Sequence, residues 1–201
     1  EMYRQLEMRS IGTAWTMLHK IREAMRQRDG GYKLKGLIEL DGASFGRRKT
    51  ENQRDILIAV ETKKWVNEKG QPKTRAGFAK TMPPTVTKVY AQEFVNVAIT
   101  PGSTLQTDGA YHKIDGVTVK SRSSWDGDTM NEWLPWVHKF ISNAKAFLIG
   151  THHGVEAKHL ERYLAEYTYR FNRRHDPNGL FARAGTACAL ATPITAQALL
   201  G

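Results

Sequence analysis

The segment Leu34-Lys-Gly-Leu-Ile-Glu-Leu-Asp-Gly42 alternates its side chains with the period of a β-strand. One side carries Leu34, Gly36, Ile38 and Leu40, and the other carries Lys35, Leu37, Glu39 and Asp41. The alternation predicts a strand over residues 34–41, and Gly42 begins a predicted polar turn that continues to Glu51. An aspartate therefore stands at the carboxyl end of the first predicted strand.

A later strand is predicted to present an aspartate in the same way. Residues 103–107 form a short predicted strand, and Asp108-Gly109 follows it. Ligand sites in α/β sheets lie beyond the carboxyl ends of the strands, so both carboxylates face one spot if the strands are neighbours. Hard oxygen ligands suit Mg²⁺ or Mn²⁺, and two such ions about 3.5–4 Å apart can activate a water or a 3′-hydroxyl towards a phosphodiester. Asp-Gly pairs after strands are also ordinary turn chemistry, so the pattern alone leaves both interpretations open.

The rest of the chain alternates between helical and strand patterns. Helices are predicted over residues 9–28, 131–149 and 156–173, with another that begins at Thr85 as N-cap and ends at Ala98. Further strands are predicted over residues 56–60, 75–80 and 117–119. Residues 61–73 are predicted to be a charged loop, and the tail from Pro177 has no defined pattern. This order predicts an α/β fold with a mixed five-stranded sheet flanked by helices.

The charge balance points to a polyanionic partner. The 201 residues include 30 Lys and Arg against 20 Asp and Glu, a net charge of +10. A basic domain of this size suggests nucleic acid as its partner. The single cysteine, Cys188, excludes a disulfide within the chain and a zinc site built on cysteines. No apolar run approaches a membrane span, so we expect a cytoplasmic protein, and the helical pattern at Glu1 suggests a fragment that lacks N-terminal sequence.

Five blocks of sequence carry a resemblance to a known family. They are Thr13-Ala-Trp-Thr-Met-Leu-His-Lys-Ile-Arg-Glu-Ala-Met25, Ile38-Glu-Leu-Asp-Gly42, Thr107-Asp-Gly-Ala-Tyr111, Leu148-Ile-Gly-Thr-His-His-Gly154, and Lys158-His-Leu-Glu-Arg-Tyr-Leu-Ala-Glu-Tyr167 with Tyr169-Arg-Phe-Asn-Arg-Arg174. In this order they resemble the catalytic domain of bacterial insertion-sequence transposases of the ISXO2-like family, which has an RNase H-like DDE fold. The last two blocks together are the most specific.

The resemblance implies an organisation and a reaction. Residues 1–30 would be the end of a DNA-binding helix-turn-helix head, although a linking or dimer helix fits the first helix almost as well. Residues 31–176 would be the RNase H-like catalytic domain, and residues 177–201 a C-terminal tail. Asp41 and Asp108 would be the first two ligands of two divalent ions, Mg²⁺ or Mn²⁺. The activity implied is cleavage and transfer of DNA strands at insertion-sequence ends. The implied partner is double-stranded DNA of the element ends and target, bound by a homo-oligomer associated with the bacterial nucleoid.

The third metal ligand is the open question, because relatives use Glu there and some use Asn or His. The matching helix offers Glu132, His138 and Asn143. DDE enzymes often place a Lys or Arg that contacts DNA seven residues after the third ligand, and Lys145 is seven residues after His138 and shares its helix face. Asn143 lies about 140° further round the helix. We therefore expect His138 to be the third ligand, with Asn143 as the main alternative; an imidazole suits Mn²⁺ better than Mg²⁺.

Other polar residues are predicted to contact DNA. The candidates are Lys145, His152, His153, Arg170, Arg173 and Arg174. Adjacent histidines on a loop seldom chelate one ion without further ligands, so His152 and His153 are predicted to contact the DNA backbone or to shape the loop. An arginine guanidinium can bind a phosphate through two parallel hydrogen bonds, so the three arginines are predicted to contact phosphates. A charged helix face exposed to solvent is the alternative interpretation.

Two other functions fit the same sequence. Another RNase H-like nuclease would need a third or fourth carboxylate in place of His138. A catalytically inactive, DNA-binding remnant of a transposase would keep the fold and the basic surface alone. Metal-dependent cleavage at the element end separates an active enzyme from the remnant.

Overall fold

The computed structural model describes residues 2–46, 50–82, 88–111, 113–122 and 129–200. Packing divides the chain into two compact units. The sheet unit is Tyr32–Ala157, and the helical unit combines Glu1–Gly31 with Lys158–Gly201. These units differ from the domain boundaries expected from the sequence, which remain a prediction. Within the described residues no helix is both long enough and apolar enough to cross a membrane.

The sheet unit is built on five strands. They are β1 Leu37–Phe45, β2 Arg54–Val66, β3 Pro72–Met82, β4 Thr104–Asp108 and β5 Thr118–Arg122. Their order in the sheet is β3-β2-β1-β4-β5. The first three strands pair antiparallel, whereas β4 pairs parallel to β1 and β5 parallel to β4. The chain crosses from β3 to β4 through helix α3, Lys88–Ala98. The predicted α/β fold with a mixed five-stranded sheet is confirmed, and it is consistent with an RNase H-like domain.

One face of the sheet packs against α3. The core between them is built from alternate positions of β1 and β2, from β4 and from one side of α3. Its buried side chains include Leu34, Ile38, Leu40, Leu57, Ala59, Phe94, Val95 and Leu105. Burying each large apolar side chain contributes about 1.5–3 kcal/mol, so this core fixes which residues of β1 face the other side. The N-cap predicted at Thr85 lies outside the described residues.

The opposite face is covered by two helices where the sequence predicted one. Helix α4 spans Thr129–Trp133, and α5 spans Pro135–His152. Proline fits the first turn of a helix because its missing N–H has no partner to lose there, so Pro135 starts a new helix rather than continuing α4. Val137, Phe140, Ala144 and Leu148 are buried at helical spacing, and α5 contacts β1 and β2.

Two strand predictions were wrong in extent. β1 does not end at Asp41 but continues to Phe45, because Asp41 to Phe45 stay paired with β2. The predicted loop over residues 61–73 is instead mostly a hairpin, in which β2 reaches Val66 and β3 begins at Pro72. Beyond Glu61 and Thr62, which are buried, its side chains are mostly exposed on a two-stranded ribbon, where backbone pairing rather than burial holds the strands.

The helical unit contains the remaining helices. They are α1 Met2–Gln5, α2 Ile11–Gly30, α6 Leu160–Asn172, α7 Leu180–Leu190 and α8 Ala196–Leu200. The predicted N-terminal helix is present; its origin in a helix-turn-helix remains a prediction. The tail from Pro177, whose sequence has no defined pattern, contains α7 and α8. Alanine has the highest helix propensity, and the small Ala187 packs against Met25 and Tyr169.

Candidate active site

Asp41 and Asp108 lie side by side on neighbouring parallel strands. Leu40 of β1 pairs with Thr107 of β4, so the two aspartates that follow stand at the same level of the sheet. Each carboxylate also accepts a local backbone N–H: Gly42 N lies 2.8 Å from Asp41 Oδ1, and Ala110 N lies 3.1 Å from Asp108 Oδ1. Asp108 ends β4 as expected, whereas Asp41 lies in the interior of β1. The sheet thus brings two carboxylates to one place.

This arrangement disfavours negative charge on Asp41. Burial raises the pKa of the Asp41 carboxyl, and the neighbouring charge of Asp108 raises it further. The Gly42 N–H and the His138 ring oppose the rise only in part. A cation bound between the two carboxylates would offset their mutual repulsion and stabilise the charged form of both. Such a site is typical of functional rather than structural carboxylates.

His138 faces Asp41 from the first turn of α5. Its Nε2 lies 3.3 Å from Asp41 Oδ2. On the other side of the ring, Nδ1 lies 2.9 Å from Asn131 Oδ1 on α4. In the tautomer whose Nδ1–H donates to Asn131, the lone pair of Nε2 is directed at Asp41 and is available to a metal ion. Asn131 could not be predicted from the sequence, because its contact with His138 depends on the break between α4 and α5.

Two hydrogen bonds hold α4 beside Asp108. The Trp133 indole Nε1–H donates to the Thr107 carbonyl at 3.0 Å, and the Gln106 amide donates back to the Trp133 carbonyl, also at 3.0 Å. Thr107 directly precedes Asp108, so the strand that carries the aspartate also fixes the helix that carries Asn131.

Tyr111 adds a phenol to the same site. It closes the 3-10 turn Gly109–Tyr111 that follows Asp108, and its hydroxyl lies 3.0 Å from where a Cβ on Gly42 would be. Burial raises the pKa of the Tyr111 phenol, and the charges of Asp108, Asp41 and Asp55 raise it further. The phenol therefore stays protonated and can donate a hydrogen bond. The available sequence signal is its position three residues after Asp108, within the block Thr107–Tyr111 that carries the family resemblance.

The other candidates on α5 are spread along the helix. Asn143 is exposed, five residues and about 140° round from His138. Lys145 is exposed two turns beyond His138, with Nζ 5.6 Å from the centre of the Phe45 ring at the end of β1. His152 lies in the last turn of α5, edge-to-face with Phe147 at 5.2 Å. His153 ends the helix in a left-handed conformation, with φ of 54°.

The arginines proposed to bind DNA lie in the helical unit and have contacts there. Arg173 is 14% exposed, donates to Asp29 at 2.8 Å and stacks on the Tyr169 ring at 3.4 Å. Arg174 stacks on the Phe171 ring at 4.0 Å and donates to the Phe171 carbonyl. Arg170 is 53% exposed, 3.5 Å from Glu166. DNA binding by the three remains a prediction, and Arg170 is the most accessible of them.

The donor set fits a divalent ion that shares its coordination with a substrate. Among the described residues, no group of three or more His, Cys, Asp and Glu forms a ready-made metal cage. Mg²⁺ is usually held by one or two carboxylates, with waters and substrate phosphates completing the shell. Two carboxylates at one level of the sheet and the Nε2 of His138 beside one of them meet that requirement.

Comparison with known proteins identifies one family. The family model described as "ISXO2-like transposase domain" matches residues 33–172, more than half of the chain. The match begins just after the start of the sheet unit and ends at the last residue of α6. No curated protein and no solved structure matches the chain.

Proposed function

The chain belongs to the ISXO2-like transposase family, and we propose that it cleaves and joins DNA strands at insertion-sequence ends with divalent metal ions. The observation that carries this proposal is the placement of Asp41 and Asp108 at one level of adjacent parallel strands. His138 beside Asp41 supports its assignment as the third ligand. The family makes DNA the expected partner.

In this proposal each residue of the site has one task. Asp41 and Asp108 hold the ions through their carboxylate oxygens, and His138 completes the set through Nε2, oriented by Asn131. Bound ions would supply an activated water or 3′-hydroxyl and stabilise the leaving oxygen of the phosphodiester. The Tyr111 hydroxyl donates a hydrogen bond to a phosphate oxygen. Lys145, further along α5, neutralises the charge of the next phosphate.

The surroundings of this reaction follow from the same proposal. The net charge of +10 supports double-stranded DNA as the ligand, both as element end and as target. Joining two ends to one target requires at least two catalytic sites, so we propose a homo-oligomer on DNA. The protein would act in the cytoplasm, on the nucleoid.

Cleavage of an oligonucleotide that carries the element end tests the proposal. We expect 3′-end cleavage and strand transfer in Mg²⁺ or Mn²⁺, and loss of both by a factor of about 100 or more in Asp41→Ala and Asp108→Ala, by analogy with removal of other key active-site groups. Asp115→Ala is the matched control, because Asp115 is an exposed carboxylate outside the site. Its activity should equal that of the wild type.

The outcomes separate the three functions. DNA binding without cleavage in either metal would make the chain an inactive DNA-binding remnant. Hydrolysis of DNA or RNA without joining to a target would make it another RNase H-like nuclease. Metal-dependent cleavage that survives Asp41→Ala would show that the reaction occurs elsewhere in the molecule.

A further inference from the structure

We propose that Glu39 is a positioning residue that fixes the amino end of α5 and thereby places His138 beside Asp41. The inference rests on the proposed function in one respect, the role of His138 as a ligand. Glu39 lies on β1 two residues before Asp41, so both side chains are on the face of the sheet that α5 covers.

The contacts of Glu39 are with α5 and with one residue of β2. The side chain is buried, with 2% of the residue exposed. Oε2 accepts the backbone N–H of Trp136 at 2.7 Å and that of Val137 at 2.9 Å. Oε1 accepts the hydroxyl of Thr62 at 2.7 Å. Glu39 thus binds the two residues that immediately precede His138.

These two N–H groups belong to the first turn of α5, where a helix has no internal partners for them. The usual solution is a side chain at the N-cap, but the N-cap here is Leu134, which offers none. Glu39 takes over the task from the neighbouring strand, and its negative charge suits the positive end of the helix dipole. One strand therefore carries both the cap of α5 and the carboxylate that faces its histidine.

The cap of α5 comes from β1 because the N-cap residue has another task. Leu134 is fully buried in the apolar core, so it leaves the first-turn N–H groups to another element. A cap from the loop before α5 would position the helix only relative to that loop. A cap on β1, by contrast, ties the rotation and the height of α5 to the strand that holds Asp41. His138 Nε2 then lies 3.3 Å from Asp41 Oδ2 without depending on a loop. Residues that orient metal ligands in this way typically change metal affinity 10–100-fold when they are replaced.

Glu61 provides a matched control. It is also 2% exposed, lies on β2, and accepts backbone N–H groups from Lys35 at 2.9 Å and Phe78 at 3.2 Å. Glu61→Ala therefore removes a buried carboxylate with similar backbone partners, but without a bond to α5. Glu39→Gln is the conservative variant, because its amide oxygen can accept both helix N–H groups while its NH₂ donates to Thr62.

The test measures Mn²⁺ binding to the purified, metal-free protein by water-proton relaxation, together with the melting temperature. We expect Glu39→Ala to raise the Mn²⁺ dissociation constant about tenfold or more, as His138→Ala does, and Glu39→Gln to stay within about threefold of the wild type. The double variant Glu39→Ala/His138→Ala should bind no more weakly than His138→Ala alone. Glu61→Ala should lower the melting temperature without changing Mn²⁺ binding.

Three results would overturn the inference: unchanged Mn²⁺ binding in Glu39→Ala, equal weakening by Glu61→Ala, or Glu39→Gln no better than alanine. If Glu39→Ala does not fold, Thr62→Val removes one bond to the carboxylate and should weaken Mn²⁺ binding by a smaller factor; no weakening would again count against it. If His138→Ala itself leaves Mn²⁺ binding unchanged while Asp41→Ala abolishes it, the third-ligand assignment fails and the role of Glu39 fails with it. If His138→Ala weakens Mn²⁺ binding and Glu39→Ala does not, the inference about Glu39 is wrong while the assignment of His138 as a ligand still stands.

Discussion

At the scale of single residues, the His138 ring has an oxygen atom close to each of its two nitrogens. Nδ1 lies 2.9 Å from Asn131 Oδ1, and Nε2 lies 3.3 Å from Asp41 Oδ2. A neutral imidazole carries one N–H and can satisfy only one of these acceptors. With the proton towards Asn131, a lone pair and a carboxylate face each other, and a cation between them removes the repulsion. This geometry favours His138 as a ligand more directly than its helical spacing does.

The third-ligand assignment gives the first prediction. His138→Ala should reduce strand transfer by about tenfold or more in Mg²⁺, whereas Asn143→Ala should retain wild-type activity because Asn143 is exposed on another face of α5. The wild type should prefer Mn²⁺, since imidazole is a softer donor than carboxylate, and His138→Ala should lose that preference. Strand transfer by both variants in each metal is the measurement. Activity retained by His138→Ala and abolished by Asn143→Ala would reverse the two roles.

The buried charge of Asp41 gives a prediction about stability. The pKa of Asp41 is raised in the folded protein above its ordinary value of 3.8 by burial and by Asp108. The stability contributed by this group is therefore complete below that value and is lost as the pH rises through the folded pKa. Asp41→Asn should raise the melting temperature by a few degrees at pH 7 in the presence of a chelator. The gain should fade as the pH falls through the raised pKa of Asp41 and should be absent below the ordinary value of 3.8.

Calorimetry over this pH range, with the exposed Asp115→Asn as control, measures the effect. A melting temperature that Asp41→Asn lowers at pH 7 would mean that the charged carboxylate stabilises the fold. Its cause would then be hydrogen bonding to Gly42 and His138 rather than burial beside Asp108.

The sequence could predict those residues of the site that sit in regular patterns. Asp41 and Asp108 follow strand patterns, and His138 follows from helix periodicity. Asn131, Glu39 and Tyr111 were missed as site residues because their roles depend on contacts with another element, and no local period encodes such contacts. In the sequence, Glu39 occupies the same alternating position as any solvent-facing residue of a strand. Only the packing of α5 over that face shows that it is buried.

At the scale of elements, charge was a poor guide to where strands end. The ribbon beyond Thr62 is mostly polar and exposed, yet Lys63 pairs with Arg75 and Trp65 with Lys73 in a regular hairpin. Backbone hydrogen bonds do not require apolar side chains. A hydrophobic pattern therefore predicts only the buried part of such strands and misses the exposed part that extends beyond it. Similarly, the helix predicted over residues 131–149 was divided by Pro135, a residue that can begin a helix as well as end one.

Arg170 and Arg173 are both predicted from the sequence to contact DNA, but their environments at the carboxyl end of α6 differ. Arg173 and Asp29 form an ion pair whose side chains are 14% and 11% exposed. Arg173→Ala therefore leaves a mostly buried carboxylate without its positive charge, with the Asn172 amide as its remaining hydrogen-bond donor. The free energy of unfolding should fall by about 3 kcal/mol. Arg170 is half exposed, and Arg170→Ala should change it by no more than about 0.5 kcal/mol while weakening DNA binding. Urea unfolding and DNA titration of both variants check this. Weaker DNA binding by a fully stable Arg173→Ala would instead make Arg173 a DNA contact.

At the scale of the whole molecule, the excess of positive charge is what distinguishes this chain from an ordinary globular domain. Thirty basic residues face twenty acidic ones, and several of the basic residues, including Arg22, Arg173 and Arg183, are paired with carboxylates within the chain. Pairs of this kind contribute nothing to the net charge of +10, which is the excess of basic over acidic residues along the whole chain. The family match and this excess point to the same ligand, a phosphate backbone.

Binding to duplex DNA should accordingly depend steeply on salt. If about five phosphates are neutralised, the slope of log K against log salt is about −4.5, and affinity falls roughly 500-fold between 50 and 200 mM salt. Lys145→Ala should make the slope less negative by about one, because the exposed Lys145 is expected to contact a phosphate near the site. Lys33→Ala is the control, since the Lys33 ammonium is held by the Asn96 carbonyl at 2.6 Å. Titrations at several salt concentrations give the slopes. Affinity that stays flat across this range would mean that phosphate contacts do not drive binding, and the excess charge would then serve solubility alone.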